Sequence, residues 1–174
     1  MSESVPKQDP TEITYWRMLL SQDPVSLCRR TLATLDPSHG AYEMRVAGLP
    51  YYIRPSSRTI VPKAAVDLGN VDWNTRLLVL AYLTGATETP LAGKWVSPIK
   101  FSGGDLFFSS DVHNLNFKEL LLEFKSPEDF LRAGEKIGGA RHNTGDSSFT
   151  LQTLPRVPIL FVYWQGDEEL PSKI

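Results

Sequence analysis

Apolar positions recur every three or four residues in some stretches of the chain and every second residue in others, and the changes of period divide it into elements. Three helix starts are written alike. Asp9-Pro10-Thr11-Glu12, Asp23-Pro24 and Ser126-Pro127-Glu128-Asp129 each set a capping side chain before a proline at the first helical position. In the first and third, an acid three residues after the cap can reach back to the cap's amide. The first helix then places Ile13, Trp16 and Leu20 on one face. The second places Val25, Cys28, Leu32 and Leu35 on one face until Asp36-Pro37 and Gly40 stop it. Both faces are expected to pack on a core.

From Ala41 the period falls to two. Tyr42, Met44 and Val46 alternate with Glu43 and Arg45, and a Gly48-Leu49-Pro50 turn leads through Tyr51–Arg54 and Pro55-Ser56-Ser57 to Arg58–Val61, a β-meander. Asp72 caps a helix from Trp73 to about Thr84, ended by Gly85, that is apolar almost all round and so predicts the most buried helix. Trp95-Val96, Ile99–Phe101 and Leu106–Phe108 read as short strands, and helices follow at about Phe117–Phe124 and Pro127–Ile137. Ser148–Thr153 alternates again. Ile159–Trp164 does not: bulky residues on both faces predict a strand covered on both sides, at the centre of its sheet. The elements describe an α+β fold, mostly antiparallel sheet (the meander plus a C-terminal hairpin) packed with about five helices. One domain is expected over residues 9–174, behind a flexible segment of residues 1–8.

Composition narrows the partners. A length of 174 residues, 41% hydrophobic and 22% charged, suits one globular core and neither a disordered nor a fibrous chain. The net charge of -2, with no basic run longer than Arg29-Arg30, argues against a nucleic-acid partner. Cys28, the single cysteine, can close no intramolecular disulfide and hold no iron–sulfur cluster, which fits a reducing cytoplasm. No apolar run approaches the ~20 residues that span a bilayer, and the opening residues have no signal-peptide core, so neither a membrane nor an export route is expected.

Candidate chemistry is sparse. His39, His113 and His142 lie far apart and none has a two-histidine metal spacing, while Cys28 falls on an apolar helix face where a thiol is inert. Gly103-Gly104-Asp105 and Gly138-Gly139-Ala140 read as a turn and a helix cap, and Trp73, Trp95 and Trp164 as core. One constellation follows from pairing. If a hairpin closes around Leu154–Pro158 so that Thr153 faces Ile159, Asp146 faces Gly166, and His142, Asp146, Asp167 and Glu168 share one end of the sheet. These four are the candidate metal ligands, suited to a hard divalent cation such as Mg²⁺, Ca²⁺ or Mn²⁺. Arg156 falls at the opposite end of the hairpin. No other cofactor is expected, and no set of residues marks a catalytic centre.

The closing block Leu154-Pro-Arg-Val-Pro-Ile-Leu and Trp164-Gln-Gly-Asp-Glu-Glu-Leu-Pro171, with Thr89-Pro-Leu-Ala-Gly-Lys-Trp-Val-Ser97 and Leu80-Ala-Tyr-Leu83, resembles the bacterial and archaeal domain of unknown function 3786 from about Asp23 onward. That family brings no assigned activity. The resemblance implies a setting in corrinoid or iron–sulfur one-carbon metabolism, because similar domains are attached to iron–sulfur segments, which this chain lacks. Similar domains also continue past the acidic motif, so a missing C-terminal extension is expected here. Together these readings favour a cytoplasmic, non-catalytic accessory or protein-interaction domain. The alternative is a small-molecule or divalent-metal-dependent enzyme using the acidic end of the hairpin.

Overall fold

All three proline-started helices begin where their caps predict. The computed structural model describes residues 9–63, 71–108 and 117–174; His113 and residues 1–8 lie outside them. Asp9 accepts the amide of Thr11 at 2.8 Å to open α1 (Pro10–Leu20), Asp23 that of Ser26 at 2.7 Å to open α2 (Pro24–Thr31), and Ser126 that of Asp129 at 3.2 Å to open α6 (Pro127–Lys136). Between them lie α3 (Trp73–Gly85), capped by Asp72 as expected, α4 (Gly104–Phe108) and α5 (Phe117–Leu122). The strands are β1 (Thr34–Asp36), β2 (Ala41–Val46), β3 (Leu49–Arg54), β4 (Thr59–Pro62), β5 (Ala140–His142), β6 (Ser147–Leu154) and β7 (Val157–Tyr163). They form two antiparallel sheets, ordered β1-β2-β3-β4 and β5-β6-β7, so the fold is α+β. The chain divides into two compact units: residues 1–89 with 152–157, and residues 90–151 with 158–174.

In the first unit the expected meander is present, with Met44 opposite Tyr51 and Ile53 opposite Ile60. Its first turn is tighter than expected. Ala47 and Gly48, both at positive φ (47° and 82°), close a two-residue hairpin whose twist matches that of the strands, so Leu49 and Pro50 belong to β3. The inward face of the sheet, Tyr42, Met44, Val46, Tyr51, Ile53 and Ile60, packs with Trp16, Leu19, Leu27, Val79, Leu80 and Leu83 from the helices. Removing such side chains from water at roughly 1.5–3 kcal/mol each is the main term holding this unit together.

Two helices turn other faces inward than their spacing suggested. In α1, Trp16 is buried with Glu12 and Leu19, whereas Leu20 is exposed. Glu12 does not reach back to its cap. It is 5% exposed and accepts from the indole Nε1 of Trp16 at 3.2 Å and from Arg76 of α3 at 3.3 Å. In α2, Leu27 and Thr31 are buried, while Val25, Leu32 and Leu35 are exposed. The predicted stripe needed a helix running to Leu35, but α2 stops at Thr31. Leu32 takes a left-handed φ of 58°, and Leu35 belongs to β1, which pairs with β2.

The second unit is built on aromatic packing. Phe130 of α6 lies against Phe149 of β6 (5.0 Å between ring centres), Tyr163 of β7 (5.4 Å) and Phe124 (5.3 Å, edge-on). A Cβ on Gly134 would overlap the Phe149 ring, so glycine there lets α6 lie directly on β6. Residues expected as strands from Trp95 to Phe108 are not strands. Pro98 and the Gly103-Gly104 pair interrupt them, Pro98–Lys100 forms a single 3₁₀ turn, and Leu106–Phe108 falls in α4, a sixth α-helix among the described residues where about five were expected. β7 is also not central. The alternating strand β6 holds the middle, because β5 pairs with its other side (Arg141 opposite Phe149), and the continuously apolar β7 is an edge with Ile159 exposed.

Candidate functional site

The hairpin turn decides where the acidic residues lie. β6 and β7 are joined by Pro155-Arg156 alone, a shorter link than the loop expected from Leu154 to Pro158. Asp146 therefore meets Tyr163 and Gln165 rather than Gly166. Its amide donates to Tyr163 O at 3.1 Å, and its Oδ2 accepts from Gln165 N at 2.8 Å. Gly145, at φ 65°, makes this approach possible, since a Cβ there would come within 2.6 Å of Val162 Cγ1.

Asp167 organises the acidic motif as a return turn. Its Oδ1 accepts from the amides of Glu169 and Leu170, each at 2.9 Å, and its own amide donates to Leu170 O at 2.9 Å. The amides of Leu170 and Glu169 hold the Asp167 carboxyl below the usual carboxylate range. Gly166 donates to Ser172 Oγ at 2.8 Å, and any Cβ on it would overlap Ser172 N. The chain thus doubles back, and Trp164 and Lys173 exchange two backbone hydrogen bonds, at 2.9 and 3.0 Å. Glu168 and Glu169 are exposed. His142 shares a hydrogen bond between Nδ1 and Thr144 Oγ1 at 3.0 Å and meets the edge of Trp95 at 5.9 Å. Asp146 and Asp167 are both engaged by backbone amides, and among the described residues no group of three or more His, Cys, Asp or Glu side chains is arranged to hold a metal ion.

The other half of the closing block has a role that sequence reasoning missed. Arg156, from the turn, donates through Nε to Arg30 O at 2.5 Å and through Nη2 to Arg29 O at 3.1 Å, while the buried Tyr82 hydroxyl donates to Thr31 O at 2.8 Å. The Thr31 hydroxyl donates to Leu27 O at 2.8 Å. The last carbonyls of α2, which a helix leaves without partners, are thus closed by a guanidinium and a phenol, with positive charge at the negative end of the helix. The Pro-Arg-Val-Pro motif is a helix clasp. Cys28, on α2, is half-buried, and burial raises its thiol pKa.

Two features of the second unit remain open to solvent. Leu91, Trp95, Val96, Ile99, Phe101 and Leu106 are all exposed within one stretch of chain, and Trp95 and Trp164, expected as core, are 47% and 45% exposed. Trp73, in the first unit, is likewise exposed at the start of α3; the buried tryptophan is Trp16. Separately, a cavity of about 500 Å³ lies beside α6, lined among others by Phe124, Lys125, Arg132 and Lys136. None of the four predicted metal ligands lines it. Two of its basic residues, Arg132 and Lys136, were legible as an i, i+4 pair after the Ser126 cap, but nothing in the spacing showed which side of α6 would be left uncovered. No helix among the described residues is long and apolar enough to cross a membrane.

No curated protein and no solved structure gives a match. The model of the family described as Domain of unknown function (DUF3786) matches residues 23–174, from the cap of α2 through the clasp to the return turn, and the chain belongs to that family.

Proposed function

We propose that this chain is a non-catalytic accessory module of the cytoplasm that holds a protein partner through the exposed apolar stretch between Leu91 and Leu106. One observation supports it. Phe101 is 63% and Leu106 78% exposed, alongside Trp95 at 47%, in a stretch of second-unit chain that pairs with no strand. A concentration of large apolar groups left in water is the usual mark of an association surface, and tryptophan is prominent among residues that dominate binding energy. Its Gly93-Lys94-Trp95-Val96 core is part of the sequence through which the chain resembles its family. The family setting inferred from the sequence makes proteins of corrinoid or iron–sulfur one-carbon metabolism the first partners to test.

The test is affinity purification from the native host with the wild-type chain and with Trp95→Ser/Phe101→Ser, quantified by mass spectrometry and then repeated with the purified partner. Both substituted side chains are largely in solvent, so the variant should stay folded and melt within a few degrees of wild type. The expected result is one partner retained by wild type and bound at least tenfold more weakly by the variant. Equal retention by both chains would overturn the assignment.

A further inference from the structure

The cavity beside α6 rests on different observations from the apolar stretch. α6 presents Asp129, Arg132, Ala133 and Lys136 to it at i, i+3, i+4 and i+7, one continuous stripe. The opposite face of the helix carries Phe130, Leu131 and Gly134 into the aromatic core, and the overlap a Cβ on Gly134 would make with Phe149 fixes how the helix is rotated. The stripe is therefore held in place by the core. The segment joining α5 to α6 supplies the other wall, Phe124 and Lys125, with the Phe124 ring anchored edge-on against Phe130.

The charges on the two sides of α6 are settled differently. Glu128 and Glu135 both pair with Arg141 of β5, at 3.4 and 2.6 Å, so both acids on that side have a cationic partner and one negative charge is left over. On the cavity side Arg132 takes Asp129 at 2.6 Å and holds its carboxyl below the usual range, but Lys125 and Lys136 have no ion-pair partner among the described residues. Glu123, exposed at the rim, is the remaining acid. In a chain of net charge -2 this is a local excess of positive charge beside an aromatic ring. The cavity is a depression open to solvent, its volume of about 500 Å³ is large enough for a small molecule, and the small Ala133 side chain leaves room between Arg132 and Lys136.

We propose that this cavity binds a small organic anion, its carboxylate or phosphate group received by Lys125, Arg132 and Lys136 and its flat apolar body laid on Phe124. Arg132 suits the role because its planar guanidinium donates through more N–H groups than one carboxylate occupies, so it can keep Asp129 and still meet an anion.

The test is amide NMR of the full chain titrated in separate arms with phenyl phosphate, benzoate and inorganic phosphate at millimolar concentration, on wild type, Lys136→Gln and Lys100→Gln. Both substituted lysines are exposed, so neither change touches the core. The expected result is saturable shifts within residues 123–136 with phenyl phosphate or benzoate, and binding about tenfold weaker in Lys136→Gln, a loss of ~1.4 kcal/mol. Lys100→Gln should bind as wild type. The arm that binds more tightly identifies phosphate or carboxylate as the preferred group. Absence of saturable shifts with both organic anions, equal loss in Lys100→Gln, or binding of inorganic phosphate as tight as phenyl phosphate would each overturn the proposal.

Discussion

Arg156→Ala removes the two donors that close the C-terminus of α2. Its guanidinium meets Arg30 O at 2.5 Å in a partly buried setting and Arg29 O at 3.1 Å where solvent reaches. A hydrogen bond from a charged group contributes about 1.5–3 kcal/mol when sheltered and less when exposed, and the charge at the helix terminus adds ~0.5 kcal/mol. The substitution should therefore cost about 2–3 kcal/mol, and the melting temperature of a chain this long should fall by about 5–10 °C. Arg156→Lys keeps the charge but cannot fork to two carbonyls, so about half of the loss should remain. Tyr82→Phe, which strands Thr31 O, should cost about 1 kcal/mol. Since both side chains fasten the same last turn, the double variant should cost less than the sum by about 0.5–1 kcal/mol: once the turn frays, the second bond is already gone. The assay is urea unfolding followed by circular dichroism and by tryptophan fluorescence, with coincident transitions required before the values are compared. A loss below ~0.5 kcal/mol for Arg156→Ala, or full recovery by lysine, would refute the clasp.

Two further outcomes follow from the first unit. Glu12→Ala should cost about 2–3 kcal/mol, because it leaves the buried Trp16 indole without its acceptor and the half-buried Arg76 with only Val71 O and no counter-charge, whereas Glu12→Gln, which keeps an acceptor for Trp16, should cost about half of that in the same unfolding assay. Asp36 is held at a pKa of about 2 by hydrogen bonds from Ser38 and His39, so its folded value lies below the unfolded value near 3.9. Its stabilisation should be complete above about pH 4 and disappear as pH falls through about 2, so the stability gap between wild type and Asp36→Asn should narrow over that window; a carboxyl titration midpoint near 4 by NMR would contradict this.

The features that sequence patterns revealed are those whose partners are close in the chain. Asp9, Asp23, Asp72 and Ser126 each bond an amide two or three residues on, and the alternation of β2 reports a face that one sheet buries. What was misread depends on partners far away. The end of α2 is set by Arg156, more than a hundred residues later, and Glu12 leaves its local cap because Arg76 and Trp16 offer a charged donor and an indole. β7 has the composition of a central strand, but position in a sheet is decided by which strand finds the free side of β6, and the three residues of β5 that do so carry little signal of their own. At the acidic end of the hairpin the pairing is shifted by one residue from the expected register, because the turn closes on two residues instead of five.

That shift changes what the family's motifs mean. In Pro-Arg-Val-Pro the arginine satisfies helix carbonyls; in Gly-Asp-Glu-Glu the glycine admits Ser172 and the aspartate satisfies two amides of a return turn. Residues committed to closing backbone groups are poorly placed to move protons or hold substrates, because releasing them would leave those groups unpaired at about 1–3 kcal/mol each. The motif stretch from Thr89 to Ser97 behaves differently. Trp95 meets His142 on one edge and is otherwise half in solvent, and Leu91 and Val96 are exposed. In the function proposed above these exposed side chains meet the partner, and for an apolar stretch that carries Lys94 and Lys100 the partner chemistry that fits is another apolar surface with carboxylates at its rim.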